Sequence, residues 1–284
     1  MIKIIKKEKL AEGVTRLVLN APLIAQKAMA GQFVILRPTE KGERIPLTIA
    51  DYHRERGELT VIYQTVGRTT AELDTLGEGD SILNVAGPLG KASELEGMKK
   101  VAVIGGGLGC AIVYPQAKAL HEKGADVDMI AGFRSRELII LEDEMRACAK
   151  LTIMTDDGSY GQKGLVTDAL KEKILRGVSY DTVIAIGPPI MMKYVSLLTK
   201  EYGIRTIVSM NPIMIDGTGM CGGCRLTVDG KTKFACVDGP DFDGHLVDFD
   251  ELMRRNATYR SDEQEQMKRF HECNLFKGIR QGEV

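Results

Sequence analysis

The stretch Val101-Ala-Val-Ile-Gly-Gly-Gly-Leu-Gly109 constrains this chain more than any other. Its first four residues are apolar and mostly β-branched, as in a buried strand. The glycines after them permit a tight turn into a helical stretch that runs to about His121. Gly124 ends that helix, and the alternation then repeats. Strands are expected at Val127–Ala131, Leu151–Thr155, Thr182–Ile186 and Thr206–Ser209, with helices at Glu137–Lys150, Leu165–Leu175 and Ile190–Glu201 between them. This pattern predicts a doubly wound, parallel α/β sheet over residues 98–209.

Residues 1–97 follow a different rhythm. Val14–Leu19, Gln32–Leu36, Glu58–Gln64 and Ser81–Val85 are short, rich in β-branched residues and separated by Gly, Pro, Asn and Asp. Short strands at close spacing suit a small closed β-barrel, which removes exposed edges. Gly87-Pro88-Leu89-Gly90 is the first strong break, and the charged Lys91–Lys100 reads as the connection. Residues 210–250 form a Gly-, Asp- and Cys-rich segment with little core-forming material, expected to be held by something other than a hydrophobic core. Residues 251–284 form a tail, and Phe249–Phe270 reads as a helix anchored by Met253, Met267 and Phe270.

Charge excludes some classes of function. With 38 basic against 39 acidic residues, no global field attracts nucleic acid or anionic lipid. No apolar run approaches the ~18 residues of a membrane span. The N-terminus lacks the apolar core of a signal peptide. A cytoplasmic location is expected, where thiols stay reduced.

Glycines at the end of a strand let a pyrophosphate approach the backbone beside the positive end of the next helix. Gly105, Gly107 and Cys110 fit the G-x-G-x-x-G fingerprint except at the third position, where Cys replaces Gly or Ala. Gly106, Gly107, Gly109 and Cys110 are therefore candidate nucleotide contacts. Loops after the later strands line the same sheet edge. Arg134 and Ser135 follow one strand, Asp157 another, and Gly187 and Pro188 form a turn beside which a nicotinamide would lie. Arg134 and Arg136 favour NADP(H), whereas Asp156 and Asp157 favour the free ribose of NAD(H).

Three of the six cysteines crowd into one stretch with the spacing Asp216-x₄-Cys221-x₂-Cys224-x₁₁-Cys236. Plant-type 2Fe–2S clusters use Cys-x₄-Cys-x₂-Cys…Cys, so Asp216 stands where the first cysteine belongs. A cluster needs four protein ligands, which favours Asp216 as the fourth. Zinc also accepts three thiolates and a carboxylate, although zinc ribbons carry paired Cys-x₂-Cys knuckles and only one pair is present. Cys148 and Cys273 read as plain buried or partner-facing residues.

A barrel, a dinucleotide domain and a ferredoxin-like loop, in that order, resemble the ferredoxin–NADP reductase superfamily. The segments Asp216-Gly-Thr-Gly-Met-Cys-Gly-Gly-Cys-Arg225 and Gly187-Pro-Pro-Ile-Met-Met192 look most like the small subunits of NADH-dependent reduced ferredoxin:NADP oxidoreductases. Dihydroorotate dehydrogenase electron-transfer subunits are related but keep four cysteines. The resemblance implies FAD on the barrel. Its Arg-x-aromatic-Ser/Thr motif aligns with Ile45-Pro46-Leu47-Thr48, with the arginine displaced to Arg44 and Leu47 in the aromatic place. Its pyrophosphate segment aligns with Gln64-Thr65-Val66-Gly67-Arg68-Thr69-Thr70, where Thr69 takes a common glycine position. Cys110 is then expected to face the flavin, and Ile186 stands where many relatives carry Cys. The resemblance further implies a larger flavoprotein partner with 4Fe–4S clusters, and electron bifurcation between the two. The alternative is the electron-transfer subunit of a dihydroorotate dehydrogenase, glutamate synthase or sulfide dehydrogenase type complex. None of the four histidines sits in an acid–base motif, as suits hydride transfer.

Overall fold

The computed structural model describes residues 1–269. Seven strands build the N-terminal part: β1 (Ile2–Ala11), β2 (Val14–Asn20), β3 (Phe33–Arg37), β4 (Ile45–His53), β5 (Glu58–Gln64), β6 (Ser81–Ile82) and β7 (Asn84–Leu89). They pair antiparallel in the order β6-β1-β2-β5-β4-β3-β7, a nearly closed barrel. Leu17, Leu19, Ile49, Leu59 and Val61 fill its interior with no exposure. Strand β1 escaped the sequence pattern because it is rich in lysine and buries only Ile4 fully. A short helix α1 (Pro22–Ala25) lies between β2 and β3, and helix α2 (Arg68–Asp74) follows β5.

The second part alternates as expected: β8 (Lys100–Gly106), α3 (Gly109–Glu122), β9 (Asp126–Phe133), α4 (Glu142–Cys148), β10 (Lys150–Thr155), β11 (Gln162–Lys163), α5 (Val166–Leu175), β12 (Thr182–Ile186), α6 (Pro189–Glu201) and β13 (Arg205–Ser209). Parallel pairing gives the order β11-β10-β9-β8-β12-β13. The chain leaves β8 first toward β9 and later returns to its other side as β12. The glycine run therefore opens on the switch-point crevice, where doubly wound sheets take ligands. The helix expected at Glu137–Lys150 is shorter. A 3₁₀ turn at Arg136–Leu138 comes first, and Leu141 in a left-handed conformation (φ 57°) delays α4 to Glu142. Ile140 and Leu141 are buried there, so packing overrides helical continuity.

The cysteine-bearing segment adds a hairpin of β14 (Arg225–Val228) and β15 (Lys231–Phe234), a one-turn helix α7 (Ala235–Asp238) and strand β16 (Asp241–Asp243). Asp229 and Gly230 both take positive φ in the hairpin turn. Strand β16 pairs antiparallel with β13 and so extends the α/β sheet. The expectation of a coreless segment is corrected. Met210, Met214, Cys224, Leu226, Val228 and Cys236 share one core with the α/β sheet and with Phe33 and Ile35 of the barrel. Helix α8 (Phe249–Asn256) starts at an Asp248 cap, whose carboxylate accepts the Glu251 amide at 2.8 Å. The helix expected over Phe249–Phe270 is broken by a turn at 257–259 and resumes over 260–269, where it is mostly exposed. Met253 and Met267 are half-buried, while Phe270 and Cys273 lie outside the described residues. No helix among the described residues is long and apolar enough to cross a membrane.

Candidate functional site

The four expected ligands fall into two pairs. Cys224 and Cys236 are buried with their sulfurs 3.2 Å apart. Asp216 Oδ1 and Cys221 Sγ, nearer the surface, lie 3.4 Å apart. The Asp216 carboxylate is aimed by its own loop. Oδ1 accepts the Thr218 amide at 3.1 Å, and Oδ2 accepts the Cys221 amide at 3.1 Å and the Thr218 hydroxyl at 3.2 Å. Those bonds, the Thr218 amide foremost, hold its carboxyl below the usual range, so a carboxylate is presented. Burial, then the adjacent Cys224 thiol, pushes the Cys236 thiol up to about 12. That thiol therefore keeps its proton until a metal displaces it. The Gly223 amide points at Cys221 Sγ from 3.4 Å.

Two close pairs, Asp216 with Cys221 and Cys224 with Cys236, would suit a two-iron cluster. They do not suit one ion, and among the described residues no three His, Cys, Asp or Glu side chains converge on a single-ion site. The donor set therefore fits a 2Fe–2S cluster better than zinc.

The cluster loop is seated on the barrel. Gly217 (φ 77°) faces Ile35 and Leu89 so closely that a Cβ would meet them at 2.8 and 2.9 Å. Arg44, read from sequence as a flavin residue, donates to the carbonyls of Ile215 (3.0 Å) and Asp216 (3.3 Å). Nothing local in the sequence signals this contact across 172 positions.

At the crevice the backbone is bare by necessity. A Cβ on Gly109 would lie 2.2 Å from the Ile186 carbonyl oxygen, and one on Gly106 would lie 2.5 Å from Met191 Sδ. Gly187 packs against the Gly106 amide in the same way, with Pro188 beside it. Gly107 (φ 54°) has open space around it. Cys110 is corrected. It is fully buried beneath Gly105, where burial pushes its thiol up to about 12, so it faces neither nucleotide nor flavin.

Two further crevice loops are knitted together. Asp157 N donates to the Arg134 carbonyl at 3.2 Å, and Arg136 N donates to Ser159 Oγ at 2.9 Å. The Ser135 hydroxyl is spent on Glu137 at 2.6 Å, which holds that exposed carboxyl below its usual range. The Ser159 hydroxyl and amide do the same for Asp157. Glu137 was not singled out from sequence.

On the barrel, Pro46, Leu47 and Thr48 lie half-buried on β4 opposite Ile35, Val34 and Phe33. Gln64 ends β5. The Thr65 hydroxyl is shut off from solvent and has no protein partner, a polar group left to be satisfied. Thr69 and Thr70 shape the loop instead. Thr69 Oγ1 accepts the Glu43 amide at 3.2 Å, and Thr70 Oγ1 accepts the amides of Val66 (3.1 Å) and Gly67 (3.0 Å).

Residues 211–248 match the iron–sulfur cluster binding domain of dihydroorotate dehydrogenase B. A homologue of the dihydroorotate dehydrogenase B (NAD(+)) electron transfer subunit from Thermotoga maritima is 48% identical over 94% of this chain and 95% of its own. The chain belongs to this electron-transfer subunit family. An uncharacterized protein from the adh 3′ region of Clostridium beijerinckii is 52% identical over 93% of this chain and 92% of its own. Among solved structures, a chain of an NADH-dependent reduced ferredoxin-NADP oxidoreductase, studied for flavin-based electron bifurcation, superposes with a TM-score of 0.91. It is 47% identical and the match covers 95% and 98% of the two chains. As a member of this family the protein is an oxidoreductase subunit with a ferredoxin-reductase fold and an iron–sulfur domain. The Cys224–Cys236 pair is buried, whereas Asp216 is half-buried and Cys221 exposed.

Proposed function

We propose that this chain is the smaller subunit of an NADH-dependent reduced ferredoxin:NADP oxidoreductase, working in the cytoplasm beside a larger flavoprotein subunit with 4Fe–4S clusters. Residues 1–97 would hold FAD, 98–209 the nucleotide, 210–250 a 2Fe–2S cluster on Asp216, Cys221, Cys224 and Cys236, and 251–284 the tail. The observation that carries this reading is the carboxylate in the first ligand position, paired with Cys221 at 3.4 Å.

When bound, flavin and cluster let a hydride pair leave the nucleotide as single electrons. The chain's own residues supply position and dryness. Gly106, Gly107, Gly109 and Gly187 admit the nucleotide against bare backbone, with the α3 N-terminus behind it. Buried Ile186 and Cys110 close the crevice floor against water. Asp157 and Glu137, both held ionised, favour a free 2′-hydroxyl over a 2′-phosphate, which supports NAD(H) despite Arg134 and Arg136. Thr65 offers a hydroxyl to the flavin.

The match of residues 211–248 favours a second reading, the electron-transfer subunit of a dihydroorotate dehydrogenase type complex. Asp216 stands against it.

The test is anaerobic. Purified protein should carry FAD and two irons with two acid-labile sulfides per chain, and NADH should bleach the flavin faster than NADPH. Faster bleaching by NADPH reverses the nucleotide assignment, and zinc without sulfide overturns the cluster. Co-purification of a catalytic dihydroorotate-oxidising subunit favours the second reading.

A further inference from the structure

Arg44 sits just before β4, the strand expected to carry the flavin, yet its guanidinium reaches the cluster loop. Nε donates to the Ile215 carbonyl at 3.0 Å and Nη2 to the Asp216 carbonyl at 3.3 Å. The fork therefore grips two consecutive carbonyls, the second belonging to the carboxylate ligand itself. Nearby, Gly217 brings the same loop against Ile35 and Leu89. The Asp216 carboxylate is in turn aimed by amides of its own loop, so whatever fixes the loop fixes the ligand.

We propose that Arg44 is a positioning residue for the metal centre rather than a flavin ligand: it clamps the Asp216 loop to the flavin strand and sets a permanent positive charge beside the carboxylate-ligated side. This rests on Asp216 being a ligand. A guanidinium keeps its charge at any working pH. The reduced cluster is more negative than the oxidised one by one electron, so the nearby cation favours reduction and raises the cluster potential. The clamp also fixes the spacing between the flavin strand and the cluster, because both of its ends are backbone-anchored. Arg44 is exposed, so its field is partly screened by salt.

The test compares full-length wild type, Arg44→Gln and Arg44→Lys, purified anaerobically, by FAD and iron content and by an EPR-monitored redox titration. Arg44→Gln should keep its FAD and iron but be harder to reduce. Poised at the wild-type midpoint, its ratio of oxidised to reduced cluster should rise roughly fivefold, the scale of one exposed charge acting through a high effective dielectric. That rise should shrink as ionic strength increases. Arg44→Lys keeps the charge without the fork, so it should recover most of the potential while its EPR line shape stays altered. Loss of FAD from Arg44→Gln with a wild-type potential and spectrum would overturn the inference and return Arg44 to the flavin. An unchanged potential and spectrum at full FAD content would overturn it too. If Arg44→Gln does not fold, Arg44→Lys decides by its spectrum: altered at full iron supports the clamp, unchanged overturns it. Wild-type protein without acid-labile sulfide would overturn the ligand reading first, an outcome separate from any of these.

Discussion

The nucleotide crevice works by leaving atoms out, and the cluster loop by putting atoms in. Gly106, Gly109 and Gly187 let β8, α3 and β12 approach to distances that no side chain would survive. At the loop, four side chains in two pairs make the candidate site, and glycines at positive φ bend the chain between them. The crevice is thus part of the fold's own packing, whereas the loop offers side-chain donors for a bound group. Damage to the first should appear as lost stability, and damage to the second as lost metal.

The largest effect is expected for Cys224→Ala. One iron loses a buried thiolate, so iron and sulfide should fall from two each per chain to near zero. Flavin content should hold, because the barrel interior around Leu17, Leu19, Ile49, Leu59 and Val61 has no contribution from the cluster segment, which shares its own core with Phe33 and Ile35 of the barrel. Loss of FAD together with iron would mean that the two regions fold as one unit. Gly109→Ala comes next, since its Cβ would meet backbone at 2.2 Å. Destabilisation by about 3 kcal/mol or more is expected in thermal or denaturant unfolding. Unchanged stability there would break the contrast.

The two regions meet at Asp241 on β16, whose carboxyl takes the Ser93 hydroxyl at 2.6 Å and Gln116 Nε2 of α3 at 3.1 Å. Burial pushes this carboxyl up to about 6, with the hydroxyls of Ser93 and Ser209 pulling back. A carboxyl raised above its unfolded value of ~3.9 lends stability that is full below pH ~4 and lost as pH rises through about 6. Relative to Asp241→Asn, wild type should therefore gain up to about 2–3 kcal/mol between pH 7 and pH 4. A pH-independent difference would place the charge in water. The smallest effect is expected for Gly107→Ala. Only the positive φ opposes it, and it should cost about 1 kcal/mol in the same unfolding measurement.

Legibility in the sequence followed the same division. The crevice was readable because glycine placement after an apolar strand is a local pattern, and β12 falls where its composition puts it. The ligand spacing was readable for the same reason. What escaped depends on distance in the chain. Arg44 reaches Asp216 across 172 positions, and Asp241 joins Gln116 across 125. Cys110 looked like a crevice residue because it follows the glycines, but the first turn of α3 carries it inward. Strand β16 was missed because its three residues gain meaning only beside β13.

The pairing of ligands is the claim on which most depends, and Mössbauer spectroscopy of the ⁵⁷Fe-loaded oxidised protein tests it most directly. If Asp216 and Cys221 hold one iron and Cys224 and Cys236 the other, the spectrum should contain two unequal ferric sites in equal amounts. Asp216→Cys should draw the two toward one another while keeping both irons. A single kind of site in the wild type, unchanged in Asp216→Cys, would contradict the account and return Asp216 to the role of a turn residue.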